Sequence, residues 1–190
     1  MVNFISLNVN GLLSTLKQNK LLTKLKRENI DIAFLQDTHM PGKEHERLKK
    51  HGFKYMFSSS NGSKHTRGVA ILMSGKLVYE HISTSKDREG RFILIKGRLN
   101  RNLFTLYNVY IPPGSKSEFY IQILDRIATE AQGTLICRGD FNITLNPHLD
   151  SWRRRISQSQ KTTKKLTSMI SELGLILRKQ NWRDPEVHIY

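Results

Sequence analysis

The chain has 190 residues, 38% hydrophobic and 25% charged, the balance of a globular domain with a sizeable core rather than a disordered segment. Its 31 Lys+Arg against 16 Asp+Glu leave a formal charge of +15, and nucleic acid is the usual partner of such an excess because phosphate contacts release counterions. A ribosomal-type binder or an anionic membrane surface would account for the charge equally well. No apolar run approaches the roughly 18 residues of a membrane span, the N-terminus lacks a signal-peptide pattern, and one cysteine excludes an internal disulfide, so a reducing, intracellular setting is expected.

Phe4-Ile-Ser-Leu-Asn-Val-Asn10 alternates as a strand does, and Gly11 ends it. Ser14 suits the N-cap of a helix running to about Glu28, with Leu21, Leu22 and Leu25 on one face. Ile30 to Gln36 is a second, nearly all-apolar strand, followed by Asp37-Thr-His39. After Pro41-Gly42, Glu44 to His51 suits a short polar helix, Phe53 to Phe57 a strand, and Ser58 to Thr66 a solvent loop. Further strands are expected at Gly68–Met73, Leu77–Ile82, Phe92–Leu99 and Leu103–Tyr110.

Pro112-Pro-Gly114 stops the last of these. A helix capped by Ser117 then runs to about Gln132, with Tyr120, Ile123, Leu124 and Ile127 inward and Gly133 as its stop. Thr134 to Cys137 reads as a buried strand, after which Gly139 frees the chain to turn. Ser151 to Thr163 is polar and basic, and an amphipathic helix carrying Leu166, Met169, Ile170 and Leu173 ends at Gly174. This order predicts two sheets face to face with helices outside, in one domain spanning 1–190.

Polar groups close four of the strands: Asn8, Asp37, Tyr110, and Asp140 with Asn142. Asp140 and Asn142 stand at i and i+2, so in extended chain they leave a core strand on one side. A carboxylate beside an amide suits a water attacking a phosphate. Asn8 and Asp37 offer hard oxygen ligands of the kind magnesium takes, and Tyr110 can donate to a phosphate oxygen. Taken singly, Asn8 also suits a turn, Asp37 a cap, Tyr110 a strand residue with a wet tip, and Asp140/Asn142 an Asx turn.

Five blocks stand in order: Ser6-Leu-Asn-Val-Asn-Gly-Leu12, Leu35-Gln-Asp-Thr-His39, Arg67-Gly-Val-Ala-Ile-Leu72, Leu106-Tyr-Asn-Val-Tyr-Ile-Pro112 and Gly139-Asp-Phe-Asn142. Together they resemble the endonuclease/exonuclease/phosphatase superfamily, and most of all the apurinic-type endonuclease domain of LINE-type retrotransposons. Asp87-Arg-Glu-Gly-Arg91 and Leu149-Asp-Ser151 look like that branch too. The resemblance implies a DNase I-like four-layer α/β sandwich that hydrolyses phosphodiesters with Mg2+ or Mn2+. It implies metal binding by Asp37 and Asn8 and a phosphate contact from Tyr110. Asp140 would activate the attacking water, with Asn142 steadying the transition state. DNA is the implied substrate, nicked in the retrotransposon branch to prime a reverse transcriptase of the same polyprotein; abasic-site or exonuclease III-like activity is the sister possibility. A monomer in the nucleus is expected. A phosphatase of the same superfamily is disfavoured by the charge and the retrotransposon-like blocks.

Two departures from the pattern stand out. The usual metal-binding Glu is here Asp37, shorter by about 1.5 Å. The superfamily also ends on a strand pair with a Ser-Asp-His motif, whereas this chain ends at Trp182-Arg-Asp-Pro-Glu-Val-His-Ile-Tyr190, so a domain cut short of its last strands and catalytic imidazole is implied. General acid–base help lost with it is worth about 10²–10⁴-fold, or roughly 3–5.5 kcal/mol of barrier. The alternative is therefore an inactive nucleic-acid-binding relic. None of the seven histidines has a zinc-type arrangement, and surface or packing roles are expected for all. Arg153, Arg154 and Arg155 with Lys161, Lys164 and Lys165 are the candidate backbone-contacting patch, a solvated charge run being the plainer reading.

Overall fold

A computed structural model describes residues 2–62, 64–142, 168 and 171. The chain divides into two compact units, the first made of the chain through Pro112 together with Gln132–Phe141. Eight strands form two four-stranded mixed sheets in this unit. The first sheet contains β1 (Phe4–Asn8), β2 (Ile32–Gln36), β3 (Phe53–Ser59) and β4 (Val69–Ser74) in the order β1-β2-β4-β3. The second contains β5 (Tyr79–Lys86), β6 (Phe92–Leu99), β7 (Asn102–Tyr110) and β8 (Thr134–Asp140) in simple order.

Each sheet holds one parallel pair, β1 with β2 and β7 with β8. Their registers bring Asn8 level with Gln36 and Tyr110 level with Asp140. The polar strand ends read from the sequence are thus neighbours in pairs, at the carboxyl ends of parallel strands.

Period-two alternation decides what each sheet buries. Leu7, Ala33, Leu35, Ala70 and Leu72 pack on Leu21, Leu22 and Leu25 of α1 (Thr15–Arg27), so the helix covers the outer face of the first sheet. Ser14 stands at its N-cap without a side-chain capping bond. Ile32, Phe34, Val69, Ile71 and Met73 point the other way and meet Ile93, Ile95, Leu106 and Tyr110, which makes the core between the sheets. Asn100 and Arg101, at φ +48 and +71, form the tight primed turn that joins β6 to β7.

Several expected elements differ in detail. The polar helix expected at Glu44–His51 is a 3₁₀ segment, Gly42–Leu48, because His45 is buried beneath it and bonded back to Thr38 and Pro41. The strand expected at Leu77–Ile82 runs from Tyr79 to Lys86: its polar tail pairs with β6, Lys86 opposite Ile93. Gly139 is no turn, since β8 continues through it opposite Val109, whose backbone leaves no room for a Cβ. Cys137 is partly rather than fully buried, and desolvation still pushes its thiol up to about 12.

The second unit includes Pro113–Ala131 and the chain from Asn142. Its helix α2 (Ser117–Glu130) buries Phe119, Tyr120, Ile123, Leu124 and Ile127, with Ser117 as its first residue rather than its cap. The Arg153–Arg155 cluster, Lys161, Lys164, Lys165 and the helix expected around Leu166–Leu173 lie outside the described residues, apart from Ser168 and Ser171, which are helical.

Candidate active site

The core between the sheets changes chemistry as the parallel strands approach their carboxyl ends. Beyond Phe34 and Leu106 the inward positions become Gln36 and Asn108, both buried. Gln36 donates from Nε2 to Asn108 Oδ1 at 2.7 Å and to Ser6 Oγ at 3.1 Å. Asn108 Nδ2 in turn donates to the carbonyls of Leu35 and Ala70 at 2.9 and 2.8 Å. One amide on β7 is therefore fastened to β2 and β4 of the opposite sheet. A buried network with its groups paired in this way fixes register as well as separation.

Directly above this floor lie the strand ends. Asn8 Nδ2 donates to Asp140 Oδ2 at 2.7 Å, while Asn8 Oδ1 accepts the Asn10 N–H at 3.0 Å. Both bonds agree on which end of the amide is nitrogen. Tyr110 donates its hydroxyl to the Asp37 carboxylate. Burial first, then the charge and hydrogen bond of Asp37 and the charge of Asp140, push the phenol up to about 12, against the opposing charge of Arg67. Asn8, Asp37, Tyr110 and Asp140 thus share one cluster.

Asp37 is held from several sides. Its backbone has φ +58, outside β2, and its carbonyl accepts the Gly11 N–H at 2.7 Å. Thr38 follows, donating N–H to Gly68 O at 3.0 Å and accepting from Leu12 N at 2.8 Å. The loop therefore continues the sheet between the β1 and β4 extensions. A second positive φ, +56 at His39, accompanies a ring whose Nε2 lies 2.9 Å from Asp37 Oδ1. A carboxylate only accepts, so Nε2 carries the proton. Asp37 accepts from both Tyr110 and His39.

His39 is the residue that sequence reasoning left out of the cluster: its side chain is part-exposed, and its ring bonds the Asp37 carboxylate. Its only signal was its place two residues after Asp37, the spacing that puts two side chains of an extended strand on one side. His45, by contrast, is a packing residue. Its Nδ1–H donates to Pro41 O at 3.2 Å, and Nε2 accepts from Thr38 Oγ1 at 2.9 Å. Burial lowers its pKa to about 4.

A second loop borders the cluster. Asp87 accepts from Arg91 N and Nε, both at 2.8 Å, and from Ser59 Oγ at 3.1 Å. Arg91 O accepts the Tyr110 N–H at 2.6 Å, and Gly90 O accepts the Gly68 N–H at 3.0 Å. Gly68 and Gly90, at φ +106 and +71, approach so closely that a Cβ on either would strike its surroundings. The blocks Arg67–Leu72 and Asp87–Arg91 are thus two sides of one contact.

Asn142 lies two residues past β8, in the second unit, at φ +45, and its carbonyl accepts from Tyr120 Oη at 3.4 Å. Among the described residues no three His, Cys, Asp or Glu side chains gather as a metal-binding group. The donors present are hard oxygens, the Asp37 carboxylate and the Asn8 amide carbonyl. They fit an ion such as magnesium, which takes one or two carboxylates and keeps several waters. Among the described residues no helix is long and apolar enough to cross a membrane.

Comparison with known proteins agrees with this architecture. The family model described as "Endonuclease/Exonuclease/phosphatase family" matches residues 5–182. A Xenopus laevis protein, "Transposon TX1 uncharacterized 149 kDa protein", is 25% identical over 93% of this chain, which spans only 14% of that protein's length. The endonuclease domain of TRAS1, a telomere-specific non-LTR retrotransposon, superposes with a TM-score of 0.65 at 18% identity, over 95% of this chain and 74% of that one. An AP endonuclease from Archaeoglobus fulgidus gives 0.65 at 20% identity, covering 91% of this chain and 71% of the other. At these identities the likeness to solved structures establishes a shared DNase I-like α/β fold.

Proposed function

We propose that this chain, which belongs to the endonuclease/exonuclease/phosphatase family, hydrolyses phosphodiester bonds in DNA. The observation that carries the reading is the convergence of Asn8, Asp37, Tyr110 and Asp140, from both sheets, on one cluster. Each has a job in such a reaction. Asp140 accepts a proton from the attacking water, and Asn8 holds its carboxylate in line. Tyr110, protonated at neutral pH, donates to a phosphate oxygen once substrate draws its hydroxyl from Asp37. Asn142 steadies the charge that develops on the phosphate, and the Arg153–Arg155 cluster with Lys161 and Lys164 grips the DNA backbone.

Asp37 and Asn8 are the residues to hold a divalent ion, Mg2+ or Mn2+. Bound there, the ion would neutralise charge on the phosphate oxygens and polarise the phosphorus centre. Asp37 reaches less far than a glutamate, and His39 and Tyr110 both occupy it, which favours an outer, water-mediated contact. Likeness to transposon proteins favours DNA target nicking in the nucleus, alongside a reverse transcriptase of the same polyprotein, and we take the chain to act as a monomer.

Supercoiled plasmid tests the reading. The 190-residue chain is expected to convert it to the open circle with Mg2+ or Mn2+ and not with EDTA, and Asp140→Ala is expected to abolish this. Salt-sensitive retention of DNA without nicking would replace the enzyme by the binding relic, for which the charge of +15 speaks. Neither retention nor nicking would end both readings.

A further inference from the structure

Apart from the divalent ion proposed above, the described residues around Tyr110 bring little positive charge to an anionic substrate. Two carboxylates, Asp37 and Asp140, act on the Tyr110 hydroxyl, and a phosphodiester entering there adds a third negative group. Among the described residues, Arg67 is the cation whose charge acts on that hydroxyl. Its position is built rather than incidental. Arg67 sits at φ +61, a conformation that a long side chain adopts at a cost, and its carbonyl accepts the His39 N–H at 2.6 Å. Gly68 then bonds to Thr38 on one side and Gly90 on the other, so the backbone that carries Arg67 is tied to both loops bordering the site.

The guanidinium is held as well. Arg67 Nη1 lies 2.7 Å from Glu89 Oε2, and the other Glu89 oxygen lies 3.4 Å from Arg91 Nη2. Arg91 is committed elsewhere, since its Nε is fixed on Asp87 at 2.8 Å. Among the described residues Arg67 has one carboxylate partner for a five-donor fork, and its side chain is 35% exposed. A planar fork with donors to spare matches the oxygens of a phosphodiester.

We infer that Arg67 contacts the substrate phosphate beside Tyr110, and that Glu89 is a positioning residue that keeps the guanidinium turned toward it. The inference rests on the phosphodiesterase reading. The plainer account is a surface ion pair that serves only the fold, and such pairs contribute little.

Two measurements on the full chain separate these accounts: the salt dependence of binding to a random-sequence DNA duplex, by fluorescence anisotropy, and Mg2+-dependent plasmid nicking. Arg67→Ala is expected to reduce the slope of log Kobs against log[salt] by about one, and to slow nicking about ten- to hundredfold. Arg67→Lys should recover the slope but only part of the rate. Glu89→Gln removes no cation, so it should keep the slope while lowering kcat, and Glu89→Asp should restore part of that loss.

Wild-type slope and rate in Arg67→Ala, with wild type nicking and only thermal stability altered, would overturn the inference and leave the phosphodiesterase reading standing. A wild-type chain that binds but does not nick leaves the slope to decide: an unchanged slope in Arg67→Ala rejects the phosphate contact. A chain that does not bind DNA at all would reject both.

Discussion

Asn8 and Asp140 are 132 residues apart in sequence and 2.7 Å apart in space, amide nitrogen to carboxylate oxygen. One ends β1 in the first sheet and the other ends β8 in the second, so the bond fastens the sheets at their functional end. With its Oδ1 engaged by the Asn10 N–H, the Asn8 amide cannot turn over without losing both contacts. Asp140 therefore presents its other oxygen in a fixed direction. Asn8→Ala should leave the fold intact and slow single-turnover nicking about ten- to hundredfold. Asn8→Asp should do more harm, because a second carboxylate against Asp140 turns attraction into repulsion and raises the pKa of one of the pair. An Asn8→Asp rate above that of Asn8→Ala would contradict this.

Tyr110 donates to Asp37 and is pushed up to about 12, so it stays a neutral donor across the working range of an enzyme. No activity loss traceable to its ionisation is expected below about pH 10. Tyr110→Phe should cost about ten- to hundredfold in nicking, or roughly 1.4–2.7 kcal/mol, at every pH from 6 to 9. Stability carries a matching signature. The folded-state pKa lies above that of the unfolded chain, so this contribution is complete below pH 10 and is lost as pH rises toward 12. Tyr79, also pushed up to about 12, chiefly by burial, adds to the same alkaline loss. Denaturant midpoints between pH 9 and 12 for wild type and Tyr110→Phe check it: the substituted chain should fall less steeply.

His45 gives the acid counterpart. Its ring is buried and neutral, donating to Pro41 and accepting from Thr38, and burial lowers its pKa from 6.5 to about 4. Here the unfolded chain binds the proton more readily. The contribution is complete above pH 6.5 and is lost as pH falls through 6.5 toward 4. The full swing is on the order of 3 kcal/mol. Urea unfolding at pH 7 and pH 4.5 should show this fall in wild type. His45→Gln should be less stable at pH 7, where a bond is lost, yet show a shallower fall on acidification. An equal fall in both chains would remove His45 as its source.

What the sequence made legible, and what it hid, follows from how far each signal reaches along the chain. Strand ends were readable because an apolar run that stops at Asn8, Gln36-Asp37, Tyr110 or Asp140 has a local cause, and parallel pairing then makes neighbours of such ends. β6 and β7 came out within a residue of expectation for the same reason. His39 was not read with them, because its contact with Asp37 lies past the end of β2, on two left-handed backbone positions rather than on a strand. Gly139 looked like a turn because its true reason, the Val109 backbone against it, lies 30 residues upstream. The polar tail of β5 was hidden likewise: Ser83–Lys86 has little strand propensity and is strand because β6 pairs with it. Arg67 and Glu89 lay in recognised blocks, but only the fold shows that the blocks touch.

The floor beneath the cluster yields the last prediction. Gln36 and Asn108 are polar residues at inward positions of an otherwise apolar core, and Asn108 supplies an acceptor to Gln36, beside that of Ser6, and donors to the Leu35 and Ala70 carbonyls. Asn108→Leu would therefore leave three buried groups short of a partner at once. Each carries a penalty of about 1–3 kcal/mol, moderated where a water or Ser6 can compensate. A loss of several kcal/mol is expected, a large share of the stability of a domain this size. Asn108→Asp keeps an acceptor for Gln36 but turns a carboxylate toward two carbonyls, and should fare no better. The double substitution Gln36→Leu/Asn108→Leu should be less damaging than the sum of its parts, because each removes the other's unpaired amide. Urea unfolding of wild type, the two single Leu substitutions and the double tests this: strict additivity would mean the two amides act separately.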